Sequence, residues 1–316
     1  MLENLHYKIP LISIVIPVKN GVNTLASCLS GIMNQTMISV CEIIIIDSGS
    51  TDGTLGLLKN YPVDVYQIPP SEFNHGDTRN YGVSLAKGEF VVMTVQDATP
   101  ADEFWLERMY RHFADKQVAG VCGQQIVPHH SDKNPHQWFR PQSEGGFRKV
   151  FFEDGEFEKL TPEAKKKECS WDDVTAMYRK EFLMKIPFQP VMFGEDMIWA
   201  KEALIKGMTL VYDTTARVEH YHHHYPEYTF KRVLIVWLFI YKTFGFVRAN
   251  PISIRDFFLV FFRNFKWGLS PKWIIHNLSF LFYFSKAVNH FNVVVAKSEI
   301  GKLENELSIS IPQGTV

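Results

Sequence analysis

Two places where an apolar run gives way to carboxylates hold much of the chemical potential of this chain. In Glu89-Phe-Val-Val-Met-Thr-Val-Gln-Asp-Ala98 the apolar stretch breaks at Gln96-Asp97. A short run rich in β-branched residues reads as a buried strand, which puts Asp97 just past its carboxyl end. Ligands collect along that edge in open α/β sheets. Taken alone, Asp97 would sooner cap the next helix, a duty open to Asp102 as well. Glu195 and Asp196 open a helical stretch, where a carboxylate either complements the helix dipole or takes a proton from a group within hydrogen-bond reach. His220 and His222 share one face if their segment is extended. The plain reading of His220–His224 is a solvated histidine cluster, and for His223 and His224 it is preferred.

The elements that must position these groups follow from periodicity. Leu11–Val18 reads as a first strand closed by the turn pair Asn20-Gly21, and Val22–Met33 as a helix with Leu25, Cys28, Leu29 and Ile32 on one face. Glu42–Ile46 is a second strand, and the polar loop Asp47–Thr54 feeds a helix through Leu55, Leu57 and Leu58. Val63–Ile68 is a third strand, Asp77–Ala86 a helix closed by Gly88, and Phe90–Val95 the next strand. A helix is predicted over Glu103–Phe113, a strand over Val118–Val127, a helix over Glu195–Lys206 stopped by Gly207, and a short strand at Leu210–Tyr212. Alternating strands and helices imply a parallel sheet with right-handed crossovers. Pro128–Glu168 is long and polar, with Pro135, Pro141 and Gly145-Gly146; it is either a disordered excursion or a flap over an acceptor site.

The 316 residues suffice for one large domain with an appendage, or for two domains. A net charge of −1 gives no reason to expect nucleic acid. The four cysteines, Cys28, Cys41, Cys122 and Cys169, form no CxxC pair and read as reduced thiols of a cytosolic protein. Met1–Pro10 lacks the basic-then-apolar pattern of a signal peptide, and no uncharged apolar run is long enough for a spanning helix. Between residues 226 and 292, nine Lys and Arg face only two acids, Glu227 and Asp256, amid apolar, aromatic runs. This region reads as helices lying on a membrane surface and drawn to anionic headgroups, in preference to a helical subdomain with basic residues on its wet face.

Five stretches in order carry a resemblance: Ser13-Ile-Val-Ile-Pro-Val-Lys-Asn20, Ile46-Asp-Ser-Gly-Ser-Thr-Asp-Gly-Thr54, Arg79-Asn-Tyr-Gly82, Gln96-Asp97-Ala98 and Gly194-Glu-Asp196. From about Leu11 to Tyr225 the chain resembles glycosyltransferase family 2, the inverting enzymes of GT-A fold. Phe73-Asn-His-Gly76 with Thr78-Arg79-Asn80, Asp172–Arg179, Glu195–Ala200 and Val218–His222 resemble its bacterial rhamnosyltransferase branch. The resemblance implies an α/β, Rossmann-like and mostly parallel central sheet flanked by helices, with residues 1–225 as the transferase domain; residues 226–316, outside the match, are read from their composition as a C-terminal amphipathic helical, membrane-surface region. It implies transfer of L-rhamnose from dTDP-L-rhamnose to a glycan or lipid-linked acceptor in cell-surface polysaccharide or O-antigen synthesis, at the inner face of the cytoplasmic membrane.

The resemblance also implies roles. Asp196 is the catalytic base. Asp97, with His220, holds a divalent cation, Mg2+ or Mn2+, on the leaving diphosphate, and His222 is either a further ligand or a phosphate hydrogen-bond donor; Gln96 and Ala98 stand where the usual motif offers a second carboxylate. Pro17, Val18, Asp47, Ser48, Arg79, Gln96 and Asp97 face the nucleotide, with Asp47 or Ser48 reading the base and Arg79 the diphosphate or base edge. Asn74, His75, Asp77, Trp171, Asp172, Asp173 and Glu195 are sugar- or acceptor-side candidates, with helix capping the competitor for Asp77 and core packing for Trp171. The competing functions are transfer of another dTDP- or UDP-sugar, a non-catalytic sugar-nucleotide-binding subunit, and a membrane-attached structural protein.

Overall fold

The computed structural model describes residues 9–127, 145–191, 193–222, 225–247 and 252–309. These fall into two bodies, one of residues 9–126, 145–159 and 168–220, the other of residues 127, 160–167 and 221 onward.

The first body is built on a nine-stranded sheet. Its strands are β1 (Ile12–Val18), β2 (Cys41–Asp47), β3 (Asp64–Gln67), β4 (Phe90–Thr94), β5 (Thr99–Pro100), β6 (Val118–Ile126), β7 (Phe147–Val150), β8 (Thr175–Arg179) and β9 (Thr209–Glu219). They lie in the order β3-β2-β1-β4-β8-β6-β9-β5, with β7 beside β9. The runs of β1, β2 and β4 are continuous because both faces are covered; Ile12, Ile14, Ile16, Ile45, Ile46, Val91 and Val92 are fully buried. β1 pairs in parallel with β2 and β4, β2 with β3, and β6 with β9. β8 runs against both β4 and β6. It follows that β1, β2, β3, β4, β6 and β9 all point the same way. Their carboxyl ends, and the amino end of β8, meet along one edge.

Helices α1 (Leu25–Met33), α2 (Thr54–Leu58), α3 (His75–Leu85), α4 (Trp105–Tyr110), α6 (Lys180–Lys185) and α7 (Glu195–Ile205) belong to this body, while α5 (Pro162–Glu168) ends where the chain re-enters it. α1 buries Leu25, Cys28, Leu29 and Ile32, the face read from the sequence. α3 starts two residues before Asp77. Its cap is Asn74, whose side chain accepts the Gly76 and Asp77 N–H groups. α3 is stitched to the chain ahead of α7: Asn80 Nδ2 donates to the Phe188 carbonyl at 2.8 Å and its Oδ1 accepts the Phe188 N–H at 3.0 Å. Gly76 closes the same seam. A Cβ there would stand 2.0 Å from the Gln189 carbonyl oxygen.

Two parts of the first body depart from expectation. Part of the long polar excursion is ordered, since β7 pairs antiparallel with β9 and α5 follows; residues 128–144 lie outside the described residues. β7 exposes Phe147, Arg148 and Lys149 and buries only Val150, so it carries no alternation to read. β9 runs eleven residues, well beyond Tyr212. Asp213-Thr214-Thr215 reads as a break, yet Asp213 is fully buried in the strand. Burial works against its charge, but hydrogen bonds from His112, from Thr215 side chain and backbone, and from Arg111 outweigh it and hold the carboxyl well below its usual range.

The second body contains α8 (Pro226–Phe244), α9 (Ile254–Lys266), α10 (Pro271–Ala296) and α11 (Ile300–Ile309). Val233, Leu234 and Leu238 of α8 pack with Ala287, Val288, Phe291 and Val294 of α10 and with Leu303 and Leu307 of α11. Much of the apolar content of this region is thus spent on its own core. Among the described residues no helix is long and apolar enough to cross a membrane.

Gly76→Ala drives a methyl group into backbone. We expect it to destabilise the chain by about 1–3 kcal/mol, measured by urea unfolding, whereas Gly56→Ala, with nothing near its Cβ, leaves the midpoint unchanged or slightly raised.

Candidate active site

The loops leaving β1, β2 and β4 are laced together. Gln96 clamps the residue after β1, its Oε1 accepting the Lys19 N–H at 2.9 Å and its Nε2 donating to the Lys19 carbonyl at 3.1 Å. Asn20 accepts the Thr51 N–H at 2.8 Å and donates its own N–H to Ser50 Oγ at 2.8 Å. Ser48 turns inward, Oγ donating to the Val18 carbonyl at 3.2 Å. Val18 is buried and Pro17 half-buried beside it. Asp47, fully buried, accepts the Gly49 and Ser50 N–H groups on Oδ2 at 3.1 Å each. Its Oδ1 is buried and has no hydrogen-bond partner within the chain.

Further along the edge, one ligand atom from each of Asp97, His220 and His222 lies within 4.8 Å of the others. His222 stands two residues past His220 on the chain leaving β9. His220 Nε2 is 3.4 Å from Asp97 Oδ1, while its Nδ1 is 2.8 Å from Gln125 Oε1. Gln125 Nε2 donates to Asp172 Oδ2. A carboxylate only accepts, so the amide nitrogen of Gln125 must face Asp172 and its oxygen must face His220. A proton on Nδ1 then faces Gln125 and leaves Nε2 on the side of Asp97, the nitrogen through which the ring would bind a metal. One carboxylate and two imidazoles so arranged fit a divalent cation.

The other end of Asp172 leads to the carboxylates of α7. Asp173 N–H donates to Asp196 Oδ2 at 3.3 Å, and Asp196 Oδ1 accepts the Met197 N–H at 2.7 Å. Asp173 and Glu195 are buried around one guanidinium: Arg79 Nε lies 3.0 Å from Asp173 Oδ2 and Arg79 Nη1 2.5 Å from Glu195 Oε1. Burial opposes the charge on Arg79, but Glu195, Asp173 and Asp196 prevail and strengthen it. Asp173 is pushed up to about 7 by burial, with Arg79 opposing and Glu195 adding. Burial first, then Glu195, Asp173 and Asp172, raise half-buried Asp196 well above the usual carboxylate range. Gly194, with φ of +80°, turns the chain so that α7 begins at these two acids.

Several expected site residues have other duties. Arg79, expected on the diphosphate or base edge, is a buried strut, because its Nε and Nη1 are committed to carboxylates inside the fold. Trp171 is a core residue: it is buried against Trp199, Tyr178 and Tyr212, and its Nε1 donates to Tyr178 Oη at 2.6 Å. Tyr178 Oη in turn donates to Asp173 Oδ1. Gln96 serves the Lys19 backbone and Asn74 serves α3 and the Val191 carbonyl, 3.3 Å away. His75 is half-buried against Arg79 and Phe73, and burial lowers its pKa. Asp77 is exposed in the first turn of α3. Gln125 was missed, although it ends an apolar run at the same sheet edge as Gln96-Asp97 does, and that parallel was available in the sequence. A groove of about 320 Å³ between Glu89, Arg179, Lys180, Glu181 and Met184 lies at the start of β4, the opposite end of that strand from Asp97.

A carboxylate–imidazole trio and an acid cluster at the carboxyl edge of this mixed sheet define a GT-A-type protein. The chain belongs to glycosyltransferase family 2: the family model described as Glycosyl transferase family 2 matches residues 13–186. It is 33% identical over 219 residues to the O-antigen chain rhamnosyltransferase WbaN of Salmonella anatum, covering 68% of this chain and 65% of that protein. It is 29% identical over 252 residues to the O-antigen chain rhamnosyltransferase RfbN of Salmonella typhimurium, covering 78% and 75%. The match thus spans slightly less than two thirds of the first relative's length. Among solved structures, the mannosyltransferase PcManGT of Pyrobaculum calidifontis, in complex with GDP-Man and Mn2+, superposes with a TM-score of 0.54 at 17% identity, over 92% of this chain and 76% of that one. At that identity the likeness is one of fold.

Arg79→Met strands Asp173 and Glu195 without their cation. We expect a loss of about 3–5 kcal/mol in urea unfolding, which a residue serving only the donor would not give. Gln125→Leu frees the His220 ring, and we expect Mn2+ affinity by calorimetry to fall about 10–100-fold with the unfolding midpoint little changed.

Proposed function

We propose that this chain is an inverting glycosyltransferase that moves L-rhamnose from dTDP-L-rhamnose to a glycan or lipid-linked acceptor of cell-surface polysaccharide, as the names of its two Salmonella relatives indicate for O-antigen. Residues 1–225 form the transferase domain, acting at the cytoplasmic side of the membrane. The observation that carries this reading is a continuous line of contacts along one sheet edge. It runs from Asp97 to His220, to Gln125, to Asp172, and through the Asp173 N–H to Asp196. These contacts support a reading in which the site for the leaving diphosphate and the proton acceptor lie along the same edge.

The residues divide the work as follows. Asp97, His220 and His222 hold the cation, which when bound offsets charge on the diphosphate as it departs. Asp47, the last residue of β2, accepts the N3–H of the thymine on its carboxylate. Asp196 accepts the acceptor hydroxyl proton as that oxygen forms its bond to the anomeric carbon from the face opposite the breaking C–O bond. The electron pair of that bond leaves with dTDP. The raised pKa of Asp196 makes it a stronger base than a solvated carboxylate, provided the pH is high enough to keep it ionised.

The donor is tested with a panel of nucleotide sugars, reading binding and slow hydrolysis with and without Mn2+. Response to dTDP-L-rhamnose is expected; response to a UDP-hexose instead overturns the donor assignment. Asp196→Asn is expected to bind donor as the wild type does and to lose about 10²–10⁴ in transfer rate; an unchanged rate rejects Asp196 as the base. The acid limb of kcat/KM should lie above the ordinary carboxylate range, since the folded pKa is raised. It should move to lower pH in Asp173→Asn, which removes a negative neighbour while leaving Arg79 in place.

A further inference from the structure

We propose that α9 is the membrane-binding element of this chain, its outward aromatic face lying in the interfacial layer of an anionic phospholipid bilayer. At 3.6 residues per turn, Phe261, Ile254, Phe265, Phe258 and Phe262 fall within about 100° of arc on α9. All five are exposed: Ile254 by 77%, Phe265 by 72%, Phe262 by 62%, Phe258 by 57% and Phe261 by 41%. An unbroken exposed apolar face of this kind marks an interaction surface. The other side of the helix is accounted for within its own body. Asn264, 2% exposed, accepts from Asn277 Nδ2 of α10 at 2.9 Å, and this buried polar pair fixes which face α9 turns inward.

Charge selects the partner. Next to the apolar arc the wheel places Arg255 and Lys266, and Arg263 beyond them, all exposed. The single acid of α9, Asp256, is engaged in the capping box with Ser253 at the helix start. A second copy meeting this face about a twofold axis would set one basic rim against another. Anionic headgroups complement that rim while the phenyl rings enter the boundary between headgroups and acyl chains. At thirteen residues α9 is too short to span the bilayer and suited to lie along it. The inference narrows attachment from the whole region of residues 226–292 to one helix, because α9 gathers five exposed large apolar residues on one arc, whereas α10 exposes Ile275, Phe282 and Val293 about two or more turns apart and the buried apolar residues of α8 and α11 pack with those of α10. It stands independently of the transferase reading.

The test is flotation of the full chain with vesicles of phosphatidylglycerol and phosphatidylethanolamine, or of phosphatidylcholine alone, at low and high salt. Wild type is expected to float with the anionic vesicles, and Phe258→Gln/Phe262→Gln/Phe265→Gln to show an affinity lower by about tenfold or more. Arg255→Gln/Lys266→Gln is expected to lose the low-salt advantage alone. The substituted side chains are exposed, so circular dichroism and donor hydrolysis should match wild type. Loss of hydrolysis in both proteins would count against the transferase reading and leave the flotation result intact. Equal flotation of wild type and the triple variant overturns the proposal. So does an absence of wild-type flotation, including the case in which light scattering shows a dimer that the triple variant dissolves.

Discussion

The guanidinium of Arg79 is the constraint on which the acid end of the site depends. Two buried carboxylates, on the loop before β8 and at the start of α7, converge on it, and a third, Asp196, lies next to both. Without a cation at their centre, three acids at this depth would repel one another and either protonate or drive the elements apart. With it, α3, α7 and the β8 loop are held at one point, and Asp196 keeps a proton affinity higher than that of a surface aspartate. Structure and reactivity therefore come from the same charge balance. The Tyr178–Trp171 pair extends it into the core, so that the position of Asp173 is set by packed rings as well as by charge.

At the opposite end of the site, orientation is fixed by acceptor and donor rules. Asp172 can only accept, which turns the amide of Gln125, which in turn sets the proton of His220. Three side chains from three separate strand ends thereby determine which nitrogen faces Asp97. Such chains of obligation are frequent around metal ligands because an imidazole free to rotate or to switch tautomer binds poorly.

The sequence made the doubly covered strands legible, since β1, β2 and β4 are apolar throughout, and it made the α1 face legible through its spacing. Asp97 and Asp196 could be located because each follows or starts such an element. Less was readable where one residue serves a distant one. Arg79 looks like a phosphate ligand from its neighbours, and only the fold shows that it faces Asp173 and Glu195, which lie some hundred positions away. β7 has no alternation because it is an edge with one buried residue, and the far half of β9 hides behind Asp213-Thr214-Thr215, whose burial depends on His112 and Arg111. The C-terminal aromatics could not be divided by periodicity between a self-contained bundle and an outer face, because both uses have the same spacing.

The place of β8 has a consequence for how the sheet comes to exist. It lies between β4 and β6, yet the ribosome makes it after both. Until Thr175–Arg179 emerges, the two neighbours have no common partner, and each presents an unsatisfied row of amides and carbonyls to any other strand nearby. Synthesis thus passes through a stage in which the middle of the protein is an open slot. The acids just ahead of β8, Asp172 and Asp173, arrive with the strand that fills it, so closure of the slot and assembly of the reactive corner are one event.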